Sequence, residues 1–226
     1  SIFFIQNILS KLCMSEKWLR RLSRFFHVMH CENHEVLTEN QMDFIRQCHK
    51  RFIVIQAWNL NCKDALALHQ DKIRRLLTPT LESVDLVTIF FKKLKSRFDI
   101  VVGVHVRRGD YKHYLGGKHF HSWELYRKWI CQAKELFELG GKNKVGFFLC
   151  SDEKPDKSTF DSLPVYFLPQ NEIMLDLHAL SLCNYSLGPP SSFGTWASWH
   201  GKVPRCVLKD NTRIESVEQF SVCKVC

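Results

Sequence analysis

Apolar positions along the chain change their spacing near Asp99, and the change divides the sequence into two parts. Upstream, apolar residues recur at helical intervals around one short continuous run. Helices are predicted over Ser15 to Phe26, Thr38 to Lys50, Asp64 to Leu77 and Leu81 to Phe98, the last carrying Val84, Val87, Phe91 and Leu94 on one side. Pro79 separates the third from the fourth, and the Phe52-Ile53-Val54-Ile55 run predicts a strand from Arg51 to Trp58. Downstream, short valine- and phenylalanine-rich runs alternate with amphipathic stretches. Strands are predicted over Asp99 to Val106, Val145 to Leu149, Val165 to Leu168, Tyr185 to Leu187 and Arg205 to Leu208. Helices fall between them at Ser122 to Leu139, Glu172 to Cys183 and Ser192 to Trp199.

Strand and helix in regular alternation predict an α/β fold with a parallel sheet of Rossmann type. The expected organisation is an N-terminal region over 1–80 and a ligand-binding domain over 81–226. Open sheets of this kind bind ligands outside the carboxyl ends of their strands, so the residues leaving each strand become the candidates. The first strand runs into His105-Val106-Arg107-Arg108-Gly109-Asp110-Tyr111, where a guanidinium fork suits a phosphate and Gly109 permits a sharp turn. The second exits through Ser151, Asp152 and Glu153, and a helix start carries Asp176. Acidic residues at both places also have the simpler explanation of helix capping. The fourth strand ends in Gly188-Pro189-Pro190-Ser191-Ser192-Phe193, in which two hydroxyls open a helix and offer an anion unpaired N–H groups.

Composition narrows the partner without naming it. Lys and Arg number 32 against 23 Asp and Glu, a formal +9 over 226 residues that suits a phosphorylated or polyanionic ligand. Much of that charge, as at Arg20, Arg21, Arg24, Arg74, Arg75, Lys92, Lys93 and Lys95, is expected on solvent faces of helices. No zinc-finger, RRM or KH signature accompanies it, so nucleic acid is not the expected partner. The ten cysteines are dispersed, with Cys131, Cys150 and Cys183 in apolar runs expected to be buried, and most read as free thiols; Cys223 and Cys226 form a CxxC without a second pair to complete a zinc site. Metal is not expected. No apolar run reaches transmembrane length and Ser1 to Leu12 lacks signal-peptide order. The free-looking cysteines lead to the expectation of a cytoplasmic setting, with the Golgi lumen as the alternative. The chain starts on Ser1, and an upstream segment is expected.

At the strand-end residues the sequence resembles a known superfamily. His105-Val106-Arg107-Arg108-Gly109-Asp110-Tyr111 resembles the HxRRxDY motif of α-1,2-fucosyltransferases, and three further segments follow in that family's order: Phe147 to Asp152, Asp176 to Cys183 and Ser191 to Trp196. The resemblance covers roughly 99–208. It implies a GT-B-like, metal-independent, inverting glycosyltransferase that needs no cofactor and uses GDP-fucose as donor and a glycan hydroxyl as acceptor. It further implies that Arg107 binds the β-phosphate beside His105, that Asp176 holds the guanine and that Ser191 and Ser192 hold the diphosphate. Arg107 and Asp110 are then the expected catalytic side chains, with Asp110 and Arg108 buttressing the loop. Arg108, Ser151, Asp152 and Phe193 complete the expected donor site. Candidates for a general base are Asp110, His113 and Glu124.

One part of the family pattern is missing. Relatives begin with a Gly-Gly-Leu-Gly-Asn-Gln-like loop, whereas the first glycine here is Gly103. The N-terminal region is therefore expected to be a reduced or truncated acceptor-side domain. Two other readings stay open: a transferase of this fold with another nucleotide sugar, and a catalytically silent sugar- or anion-binding module.

Overall fold

The valine run that opens the downstream half becomes the central strand of a six-stranded sheet. In a computed structural model, which describes residues 26–30, 39–49, 52–56, 63–78, 81–155, 157–170 and 172–223, the chain divides into two units. The division falls at His69/Gln70, upstream of the boundary expected at residue 80. In the first unit β1 (Phe26–His30) and β2 (Phe52–Gln56) pair in parallel around α1 (Glu39–Gln47). The predicted helix from Ser15 lies outside the described residues up to its last position, Phe26, which instead starts β1. α2 (Lys63–Leu76) crosses the division.

The second unit contains α3 (Leu81–Lys95), β3 (Ile100–Val106), α4 (Trp123–Phe137), β4 (Val145–Ser151), β5 (Val165–Tyr166), α5 (Ile173–Leu180), β6 (Tyr185–Gly188), α6 (Ser192–Gly201), β7 (Pro204–Val207) and β8 (Ser221–Val222). The sheet order is β5-β4-β3-β6-β7-β8, parallel throughout except for the β7–β8 pair. The chain moves outward from β3 through β4 to β5 and then returns to the other side of β3. Successive connections therefore leave β3 and β6 in opposite directions, and a crevice opens at their carboxyl ends.

Side-chain alternation on β3 explains why both faces are covered. Val102, Val104 and Val106 point into one apolar cluster with Tyr126, Trp129, Ile130, Ala133 and Phe137 of α4. Val101 belongs to the opposite cluster, with Phe91 of α3, Leu180 of α5 and Ala197 of α6. α4 starts where Ser122 Oγ accepts the Leu125 N–H at 3.2 Å, satisfying one of the free donors of its first turn. Trp129 is fully buried, which is worth about 2–3 kcal/mol relative to exposure. Its indole N–H donates to Thr212 O at 2.9 Å, so the ring is buried without an orphaned donor.

Two expectations change on inspection of the packing. Arg74 does not face solvent: its guanidinium lies 4.6 Å over the Trp199 ring and donates twice to Trp199 O, at 3.0 and 2.9 Å. Cys131 is half-buried, whereas Cys150, Cys183 and Cys206 are buried, and all six described cysteines are unpaired thiols. Cys226 of the CxxC lies outside the described residues. Among those residues no helix is long and apolar enough to cross a membrane.

Candidate functional site

His105 is the penultimate residue of β3, and β-strand alternation turns it away from α4 and buries it. Its Nδ1 lies 3.3 Å from Ser191 Oγ and its ring packs on Phe193 at 4.9 Å. Burial, then Arg205 and Arg107, push its pKa down to about 3. His105 is therefore a neutral imidazole across the working pH range, suited to hydrogen bonding and unsuited to carrying a charge.

The next two arginines take opposite directions. Arg107 turns to the open edge and is held by Asp110, whose two carboxylate oxygens receive Nε at 2.8 Å and Nη2 at 3.0 Å; Asp152 Oδ2 lies 3.4 Å from the same Nε. The hydrogen bond from Arg107 holds the Asp110 carboxyl below the usual range, which makes it a weak base while that fork persists. Arg108 turns inward. It donates to Glu153 Oε2 at 2.9 Å and to His121 O at 2.5 Å, with its guanidinium over the rings of Phe120 at 4.4 Å and Trp123 at 5.1 Å. Its side chain is thus consumed in fixing the loop, and it borders neither of the clefts described below.

Asp152 is spent on the same loop. Its two oxygens accept the backbone N–H groups of Arg108 at 2.8 Å and Gly109 at 3.0 Å. A Cβ at Gly109 would stand 3.1 Å from Asp152 Oδ2, so glycine lets the two strand exits meet this closely. Across the crevice, Ser191 caps α6 by accepting the Gly194 N–H at 3.0 Å, and Tyr111 Oη donates to Pro190 O at 2.6 Å. The Tyr111 bond ties the β3 and β6 exits together.

Two clefts open on this edge. One, of about 740 Å³, is lined by His105, Arg107, Asp110, Tyr111, Ser191, Ser192, Phe193 and Arg205, among others. The second, of about 530 Å³, is lined by Ser151, Glu153, Phe160, Phe167 and Asp176, among others. His113 and Glu124 border neither. Asp176 is nine-tenths buried, and its carboxyl has no hydrogen-bond or ion-pair partner among the described residues. Burial raises its pKa to about 7. Such a group is satisfied by a ligand that brings N–H donors.

Arg205 was not singled out in the sequence. A charged residue in a short segment reads as surface, yet this one is 3% exposed and borders the larger cleft. The available signal was its place on β7 between the buried Val203 and Cys206, in a strand read as part of a covered sheet. Among the described residues, no cluster of three or more His, Cys, Asp or Glu side chains could hold a metal ion.

No protein-family model matches the chain. Over 142 residues it is 28% identical to an α-1,2-colitosyltransferase of Escherichia coli, a match that covers 58% of this chain and 46% of that protein. Among solved structures, a mutant of Arabidopsis thaliana FUT1 in complex with GDP is similar with a TM-score of 0.52 and 14% identity, over 87% of this chain and 53% of that one. NodZ α-1,6-fucosyltransferase soaked with GDP-fucose is similar with a TM-score of 0.50 and 19% identity, over 78% and 64%. The chain spans about half the length of the curated relative it matches. The fold is that of these GT-B-type fucosyltransferases, and the likeness is to fucosyltransferase-like glycosyltransferases.

Proposed function

We propose that the sheet unit binds GDP-fucose and transfers fucose, with inversion, to a hydroxyl of a glycan. The observation that carries this reading is the chemistry of the two clefts on one sheet edge. One presents guanidinium groups, the Ser191 and Ser192 hydroxyls and the start of α6, a set suited to a diphosphate. The other presents the unpartnered Asp176 carboxyl, which as a carboxylate accepts both N–H donors on one edge of guanine.

In this mechanism Arg107 binds the β-phosphate and stabilises the charge that develops on the departing GDP. Positioned donors of this kind are worth several kcal/mol in the transition state. Asp110 keeps the Arg107 fork oriented, and His105 contributes a neutral contact beside it. The acceptor hydroxyl attacks the anomeric carbon, the bond to the diphosphate oxygen breaks, and the hydroxyl proton passes to a base or to water. Charge on the diphosphate is met by side chains and backbone donors, so no metal enters the step.

A second donor, the colitose nucleotide, is favoured by the name of the curated relative. Metal-stripped protein should transfer fucose from GDP-fucose to a glycan acceptor in excess EDTA. GDP binding without transfer to any acceptor would favour a silent binding module, and transfer from the colitose nucleotide alone would favour the second donor. Loss of transfer under chelation that Mn²⁺ or Mg²⁺ restores would contradict the cation-free step.

A further inference from the structure

Arg205 presents a buried charge that the protein leaves uncompensated. Its Nη2 donates to Pro189 O at 2.5 Å, and the Cys223 side chain is a further hydrogen-bond partner, but among the described residues no carboxylate pairs with it. The guanidinium lies across Gly194: a Cβ there would stand 2.5 Å from Nη2, 2.7 Å from Cζ and 2.8 Å from Nε. Glycine in the first turn of α6 therefore makes the room for this group, and the Pro189 bond fixes its orientation. The N–H groups that open α6 add positive potential beside it.

Arg107 is in a different electrostatic position. Asp110 at 2.8 Å and Asp152 at 3.4 Å more than match its single charge. The other titratable groups that line the cleft are His105, which stays neutral, Tyr111, whose hydroxyl is committed to Pro190 O, Tyr114 and His119. Of the two arginines that line the cleft, Arg205 is accordingly the one without a carboxylate partner among the described residues. A buried guanidinium with no counter-ion is destabilising in the free protein and becomes favourable when an anion arrives.

We propose that Arg205 is a second diphosphate-binding residue of the cleft, meeting the anion from the β7 side opposite the Arg107 fork. The inference rests on reading this cleft as a diphosphate site. It assigns the larger share of anion affinity to Arg205 and leaves orientation of the leaving group to Arg107.

The test compares wild type, Arg205→Met and Arg205→Lys as whole chains, by calorimetry with inorganic diphosphate, GDP and guanosine, together with thermal melts. Arg205→Met should weaken inorganic diphosphate and GDP by roughly 10- to 100-fold, the range for a lost charge-assisted contact, and leave guanosine unchanged. It should also raise the melting temperature of the ligand-free protein, because a residue needed only to hold Pro189 would lower it when removed. Arg205→Lys, which keeps the charge without the fork, should retain more diphosphate affinity than Arg205→Met and carries the test if the latter fails to fold. Unchanged diphosphate affinity in the variants, an equal loss for guanosine, or no diphosphate binding by wild type would overturn the proposal. Binding of inorganic diphosphate but of neither GDP nor guanosine by wild type would sink the nucleotide reading alone, with Arg205 still judged by its own variants.

Discussion

The two clefts on the carboxyl edge of the sheet differ in what each leaves unmatched. Around β3, β6 and β7 the excess is positive, since Arg205 has no carboxylate partner among the described residues and the start of α6 points its donors the same way. Around β4 and β5 the unmatched group among the described buried residues is the Asp176 carboxyl. A fold that needed only stability would have paired or replaced both groups. Their place on one edge is what the proposed reading explains, since a guanine nucleotide has an anionic end and an N–H donor end.

The largest effect is expected at Arg107, where the comparison becomes chemistry. Arg107→Ala should lower kcat roughly a thousandfold, the upper range for removal of one leaving-group stabiliser, while the melting temperature stays close to wild type because the side chain is 40% exposed. Arg107→Lys should also fail substantially, since an ammonium cannot reproduce the fork. Near wild-type turnover in either would remove Arg107 from the chemical step.

The next effect sharpens the division of labour between clefts. Asp176→Asn should weaken GDP by about 10- to 100-fold and leave inorganic diphosphate unchanged, because an amide cannot accept both guanine donors. An equal loss for both ligands in calorimetry would make Asp176 a structural residue. The pH dependence follows from its pKa of about 7. GDP needs the ionised carboxylate, so affinity should fall about tenfold per unit as pH drops below about 7. Ligand-free stability should move the other way: the folded pKa lies above the unfolded value near 4, so the folded chain binds the extra proton and this group's contribution grows as pH falls from about 7 toward 4. Parallel pH profiles for the two quantities would contradict this assignment.

The smallest effect separates Arg107 from its neighbour. Arg108→Ala removes two hydrogen bonds and a guanidinium packed on Phe120 and Trp123, and should cost about 2 kcal/mol of stability in denaturant titration. Its effect on GDP affinity should be far below that of Arg205→Met. A large loss of affinity with stability intact would place Arg108 on the ligand after all.

The sequence carried the sheet well because its strands are buried on both faces and read as continuous apolar runs. Val101 to Val106 and Phe147 to Cys150 are of this kind. It carried β1 and β8 poorly: Phe26–His30 holds two histidines and no clear alternation, and Ser221–Val222 is an exposed two-residue edge that no period can reveal. Within the site, motif residues identified which strand ends matter but not which way each side chain turns. Arg107 and Arg108 are adjacent in sequence, and it is the Glu153 carboxylate, the His121 carbonyl and the Phe120 and Trp123 rings of the folded chain that turn the second inward. Arg205 was illegible for a related reason. Its role depends on Gly194 clearing space and on no carboxylate among the described residues pairing with it, both of which are properties of the folded chain.

Competition calorimetry tests most directly whether the clefts hold the two ends of one ligand. Guanosine and inorganic diphosphate should bind together, one of each per chain, and a single GDP should displace both. Displacement of only one by GDP, or two GDP molecules bound per chain, would show that the two clefts serve separate ligands.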